Sequence, residues 1–166
     1  MFTRITRVAA IVTCLLTTSL VPAWSAPKSI TGPHGETLTA TTTVAPANGI
    51  IKIQGAHFDE TVGIYLAFCV LPKKGSAPTP CGGGINKSGI ASISFWISSN
   101  PPPYGKGLAQ PFLPGGRFVN SVHVTPIVGK FDCRKVKCAI TVRADHTRDG
   151  DRSYDMFIPI TFSKMI

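Results

Sequence analysis

Along most of this chain apolar and polar residues alternate with a period of two, in short runs separated by turn-forming residues, and that rhythm predicts strands. Leu38 to Val44 is Thr-rich and β-branched, and Ala47-Asn48-Gly49 after it makes a turn. Ile51 and Ile53 share one face of the run from Ile50 to Gln54. In the next run Val62, Ile64, Leu66 and Phe68 share a face, with Tyr65 and Cys69 opposite. Ile93, Phe95 and Ile97 oppose Trp96, and Phe118, Val122 and Val124 form another apolar face. Val136, Cys138, Ile140 and Val142 oppose Lys135, Lys137, Thr141 and Arg143. The last run places Met156, Ile158, Ile160 and Phe162 together, and Pro159, which has no N–H to give, assigns it to an edge. Seven short runs with almost no helical periodicity predict an all-β fold, a seven-stranded antiparallel immunoglobulin-like β-sandwich over residues 38–166 behind a flexible lead-in at 26–37.

The opening differs in kind. Arg4 and Arg7 precede a mostly apolar stretch from Val8 to Leu20, Pro22 breaks any helix, and Ala23-Trp24-Ser25 offers small residues where a signal peptidase reads. Residues 1–25 are therefore expected to be a signal peptide, leaving a secreted chain with no transmembrane anchor. Composition narrows the rest. With 43% hydrophobic and 15% charged residues, the chain is no disordered polyelectrolyte. Its 16 glycines and 14 prolines punctuate it too often for a helical bundle or a doubly wound α/β fold. Cys14 leaves with the signal peptide, and Cys69, Cys81, Cys133 and Cys138 then predict two disulfides in an oxidising compartment. Three connectivities are open to four cysteines; pairing by neighbour is preferred. Metal binding is disfavoured, since there is no Cys-x-x-Cys and no histidine at ligand spacing.

The placing of Asp132-Cys133-x4-Cys138, the pair Cys69 and Cys81 flanking a hairpin, the closing Pro-Ile-Thr-Phe strand and the early Thr-Val-Ala-Pro-Ala-Asn-Gly with Gly55-x-x-Phe58 together resemble the neocarzinostatin family, over roughly residues 38–163. The resemblance implies a secreted sandwich of the type that carries enediyne chromophores. Segments such as Trp96-Ile-Ser-Ser-Asn-Pro-Pro, Pro114-Gly115-Gly116 and Arg143-Ala-Asp-His-Thr-Arg also resemble the immunoglobulin-like cassettes of actinobacterial exported proteins, some with HtaA-type haem-uptake domains. This chain departs from the chromophore carriers where Val70 and Leu71 stand in place of an aromatic residue, where Ala139 and Arg143 replace polar positions, and in its formal charge of +9 against their acidity. The resemblance thus implies the fold more than the cargo.

Two stretches break the strand rhythm. Asn100 to Gly116 is rich in Pro and Gly, and Trp96, Tyr104 and Phe112, on and beside it, are candidates for an aromatic recognition surface on a pre-organised backbone. Lys135, Lys137 and Arg143 on one strand face would form a basic stripe able to meet an anionic cell-wall polymer. Nucleic acid is disfavoured, because no recognised motif is present and the aromatics are not interleaved with that stripe. The Asp145 to Asp155 stretch partly imitates a calcium loop, but Met156 stands where Glu is needed and Arg148 and Arg152 repel a cation; a charged hairpin with Asp–Arg pairing is expected. No cofactor is called for. The scattered His34, His57, His123 and His146 and the lack of a nucleophile elbow argue against an enzyme. Asn86-Lys87-Ser88 matches a glycosylation sequon, a pattern frequent by chance.

The sequence reading is a secreted, non-enzymatic binding module of the actinobacterial cell envelope, with an envelope protein or anionic polymer as partner. The alternatives are a carrier of a small apolar ligand, in a cleft beside the Cys69–Cys81 hairpin, and a structural envelope protein without a ligand.

Overall fold

In a computed structural model that describes residues 25–82 and 93–163, the two-residue rhythm resolves into eleven strands. They are β1 (Lys28–Thr31), β2 (Thr37–Ala40), β3 (Val44–Ala45), β4 (Gly49–Ala56), β5 (Ile64–Val70), β6 (Ser94–Ile97), β7 (Phe118–Val124), β8 (Ile127–Val128), β9 (Phe131–Asp132), β10 (Cys138–Ala144) and β11 (Met156–Phe162). A four-stranded sheet runs β1-β2-β4-β7 and a five-stranded sheet β3-β11-β10-β5-β6, with β8 and β9 a separate ribbon. All the pairings are antiparallel except β11 with β3. The expected signal peptide, apart from Ser25, and the sequon lie outside the described residues.

Seven strands become eleven for identifiable reasons. The run expected from Leu38 to Val44 is two strands in opposite sheets. Thr42 makes the changeover workable, because its hydroxyl donates to the Val44 carbonyl and accepts from the Val44 N–H, which have no ladder partner there. Residues 26–37, expected as a flexible lead-in, instead carry β1. The Gly32-Pro33-His34-Gly35 turn folds Lys28–Thr31 back on β2, and because only Ile30 packs against the core the strand shows no apolar pattern. Pro159 sits where its edge assignment requires, since β3 reaches only Thr161 and Phe162 of β11.

The two sheets close on each other through the alternate residues that the periodicity marks. Ile51 and Ile53 of β4 and Phe118, Val122 and Val124 of β7 face Ile64, Leu66 and Phe68 of β5, Ile140 and Val142 of β10, and Ile158 of β11. Phe58, Phe112 and Phe118 group at one end, with ring centroids 5.3–6.4 Å apart. Gly116, with φ +61°, lets this end close: its carbonyl accepts from the Phe58 N–H at 3.2 Å, and a Cβ on it would meet the Phe58 carbonyl oxygen at 1.9 Å. Both disulfides are formed by neighbours, Cys69–Cys81 and Cys133–Cys138, with Cα atoms 3.9 and 5.5 Å apart.

Unlike an ordinary two-layer sandwich, β5 and β10 are buried on both faces. Their outward residues, Tyr65, Ala67, Cys69, Ala139 and Thr141, are also buried; Tyr65 meets His146 and Cys69 is bridged to Cys81.

Two predictions test this frame. Gly116→Ala should cost about 2–4 kcal/mol in urea unfolding, because it combines left-handed backbone with a clash against main chain. Gly107→Ala, with φ +80° but open space around it, should cost about 1 kcal/mol. In the turn before β10, hydrogen bonds from the Arg134 side chain and its N–H hold the Asp132 carboxyl down at about 2, against an ordinary 3.8. A lowered carboxyl stabilises the fold fully above its unfolded value and loses that contribution as pH falls through the folded one. Acid unfolding of Asp132→Asn should therefore show a shallower loss of stability between about pH 4 and 2 than the parent.

Candidate functional site

The cover over the outward face of the five-stranded sheet is held by one buried carboxylate. Asp145, 1% exposed, follows β10 and caps the short helical turn His146–Arg148. Its Oδ1 accepts from the Thr147 N–H at 2.9 Å and the Thr147 hydroxyl at 2.6 Å. Its Oδ2 accepts from the Trp96 indole N–H at 2.8 Å. Gly63 makes room, since a Cβ there would lie 1.9 Å from Oδ2. Three donors therefore compensate the desolvation of this carboxylate.

His146 extends the link outward. Its Nδ1 meets the Tyr65 hydroxyl, and its Nε2 meets the Tyr104 hydroxyl at 2.6 Å. Burial, with Asp145 adding to it, pushes the Tyr65 hydroxyl up to about 12. The two hydroxyls thus hold the imidazole at both ring nitrogens. Trp96 stands edge-on to the His146 ring at 5.0 Å, and the Arg143 guanidinium lies over Tyr65 at 5.5 Å. These groups form an aromatic wall.

Beyond that wall is a cleft of about 360 Å³. Its floor is the middle of the sheet, where Ala67, Ser94 and Thr141 leave the outward face low. Tyr65, Arg143 and Asp149 bound one end; Cys69–Cys81 and Ala77-Pro78-Thr79-Pro80 bound the other. Arg143 donates to Asp149 at 2.9 Å. A second cavity of similar size, by Cys133, Arg134 and Phe162, lies at the β3–β11 end of the sandwich and has no such floor of paired strands.

The expected site residues part company here. Trp96 and Phe112 are 7% and 6% exposed; the first is covered by Gly105 of its own loop and the second belongs to the core. Tyr104 alone stands out, at 64%. Lys135 and Lys137 lie in the turn before β10 rather than on it, because backbone N–H groups of 135 and 136 fold back to the Asp132 carbonyl. Arg143, six residues on from Lys137, faces the cleft instead. The expected Asp–Arg pairing is present as Arg143–Asp149 and Arg152–Asp155. The periodicity singled out none of Tyr65, Asp145, His146 and Thr141 as a site residue. Tyr65 and Thr141 were marked as facing away from the core, and that was the available signal.

Removing the indole donor should expose how much the cover rests on Asp145. Trp96→Phe should destabilise by about 1–3 kcal/mol in urea unfolding, as a buried charged acceptor loses a partner. Tyr104→Phe, at an exposed bond, should cost less than about 1 kcal/mol.

No family model matches the chain, and no curated protein matches it. Among solved structures, macromomycin superposes with a TM-score of 0.50 at 14% identity, covering 77% of this chain and 99% of that one. The actinobacterial cassettes find no counterpart in these comparisons. Macromomycin is a neocarzinostatin-family apoprotein, and the chain described here has the neocarzinostatin-like sandwich fold.

Proposed function

We propose that this chain is an exported, non-enzymatic carrier of a small, largely apolar ligand, held in the cleft beside Cys69–Cys81. The observation that carries the reading is the cleft itself. At about 360 Å³ it lies within the roughly 300–1,000 Å³ range of small-molecule sites, and it joins apolar walls to a few polar groups, Thr141, Tyr65 and Arg143. The likeness in fold to macromomycin, a chromophore-carrier apoprotein, supports the same use of the scaffold. Two closed disulfides support an extracellular setting, and no helix among the described residues is long and apolar enough to cross a membrane.

An envelope interaction module would need an exposed aromatic patch, and burial of Trp96 and Phe112 leaves Tyr104 standing alone. The carrier therefore takes precedence over the envelope partner.

Native and denatured masses of the protein recovered from the culture medium of its source test the reading. A mass lost on denaturation is the expected result, and Ala67→Leu, which raises the cleft floor, should abolish it while leaving the urea midpoint close to that of the parent. A bare chain that also fails to bind both the neutral dye phenylnaphthylamine and its anionic relative anilinonaphthalene sulfonate would overturn the proposal.

A further inference from the structure

Resting on the carrier reading, we propose that the cleft selects ligands bearing an anionic group, with Arg143 as the anchor. Among the described residues the cleft's only basic lining group is Arg143, and it is held unusually well for a surface cation. Its side chain is 13% exposed, stacked over the Tyr65 ring, which is itself fixed by His146. A guanidinium carries five N–H donors, and in Arg143 only Nη1 is hydrogen-bonded among the described residues. The remaining fork matches a carboxylate, sulfonate or phosphate oxygen pair.

The counter-charge does not close this site. Asp149 is 70% exposed at its side chain, so its pairing with Arg143 is screened by water and weak. An incoming anion held on the cleft side of the guanidinium, away from solvent, competes with it on favourable terms. Opposite Arg143 the walls are apolar, formed by Pro78, Pro80 and the Cys69–Cys81 bridge. The complementary molecule is a compact apolar body with an acid at one end. The full sequence's net charge of +9, of which Arg4 and Arg7 of the expected signal peptide supply two, stays positive without them and acts in the same direction by drawing anions towards it.

Two dyes sharing one ring system separate the claims: anilinonaphthalene sulfonate, which is anionic, and phenylnaphthylamine, which is neutral. Fluorescence titration at physiological salt should show the anionic dye bound about tenfold or more tightly, the scale of a charge-assisted pair. Arg143→Gln should remove that preference, weakening the anionic dye about tenfold more than the neutral one. Asp149→Asn, which frees the guanidinium, should tighten the anionic dye alone. That gain does not arise if Arg143 is merely structural. Ala67→Leu should abolish the preference, which separates the cleft from general attraction to a basic surface.

Equal binding of both dyes by the parent, or an equal loss of both in Arg143→Gln, would overturn the anion selectivity while leaving the carrier intact. Failure of both dyes to bind would remove the carrier reading, and this proposal with it.

Discussion

The bond between the Trp96 indole and the Asp145 carboxylate joins two segments that the sandwich alone would leave independent. Trp96 is the penultimate residue of the short strand β6, just before the Pro-Gly loop, and Asp145 follows β10. A carboxylate this deeply buried is tolerated only because it is fully engaged, by the indole on one oxygen and by Thr147 on the other. With both segments fastened at that point, His146 falls between the hydroxyls of Tyr65 and Tyr104, and Tyr65 becomes a fixed surface for Arg143. The wall of the cleft thus descends from one hydrogen bond.

The cleft's floor has a different origin. Both faces of β5 and β10 are covered, yet their outward residues are small at the centre of the sheet, and Ser94 of β6 continues the low ground. Large aromatics at one end and a disulfide at the other hold the covering chain up. A cavity remains because the supports are taller than the floor between them.

Much of this was legible in the sequence. Alternation marked every long strand and the inward residues of each, since a half-buried strand must repeat every second residue. Cysteine spacing, read with the expected export signal, anticipated both disulfides. The changeover at Thr42 was not legible, because its cause is a side chain standing in for a ladder partner and no hydropathy pattern records that. The lead-in strand was missed because its partner, not its own apolar residues, holds it in place.

Site residues fared differently from strands. Tyr65, Trp96, Tyr104 and His146 come from four separate segments, so no local spacing could group them. Trp96 and Phe112 read as exposed because loops rich in Pro and Gly normally lie open, whereas this one is tied back, with Gln110 exchanging backbone bonds with Trp96 and Ser98 at 2.8 Å. Arg143 was correctly placed on the outward face, but grouped with Lys135 and Lys137, which a two-residue shift in the start of β10 removes from that face.

Double coverage of β5 and β10 has a consequence for motion. Amides in a strand paired on both sides and shielded above and below exchange with solvent only when the whole molecule opens, whereas those of peripheral loops exchange through small local excursions. The Ala67 and Thr141 positions of the floor, on strands paired on both sides, are therefore its slowest part. Exchange at Ala67 and Thr141 thus reports opening of the whole sandwich rather than events in the loops above them.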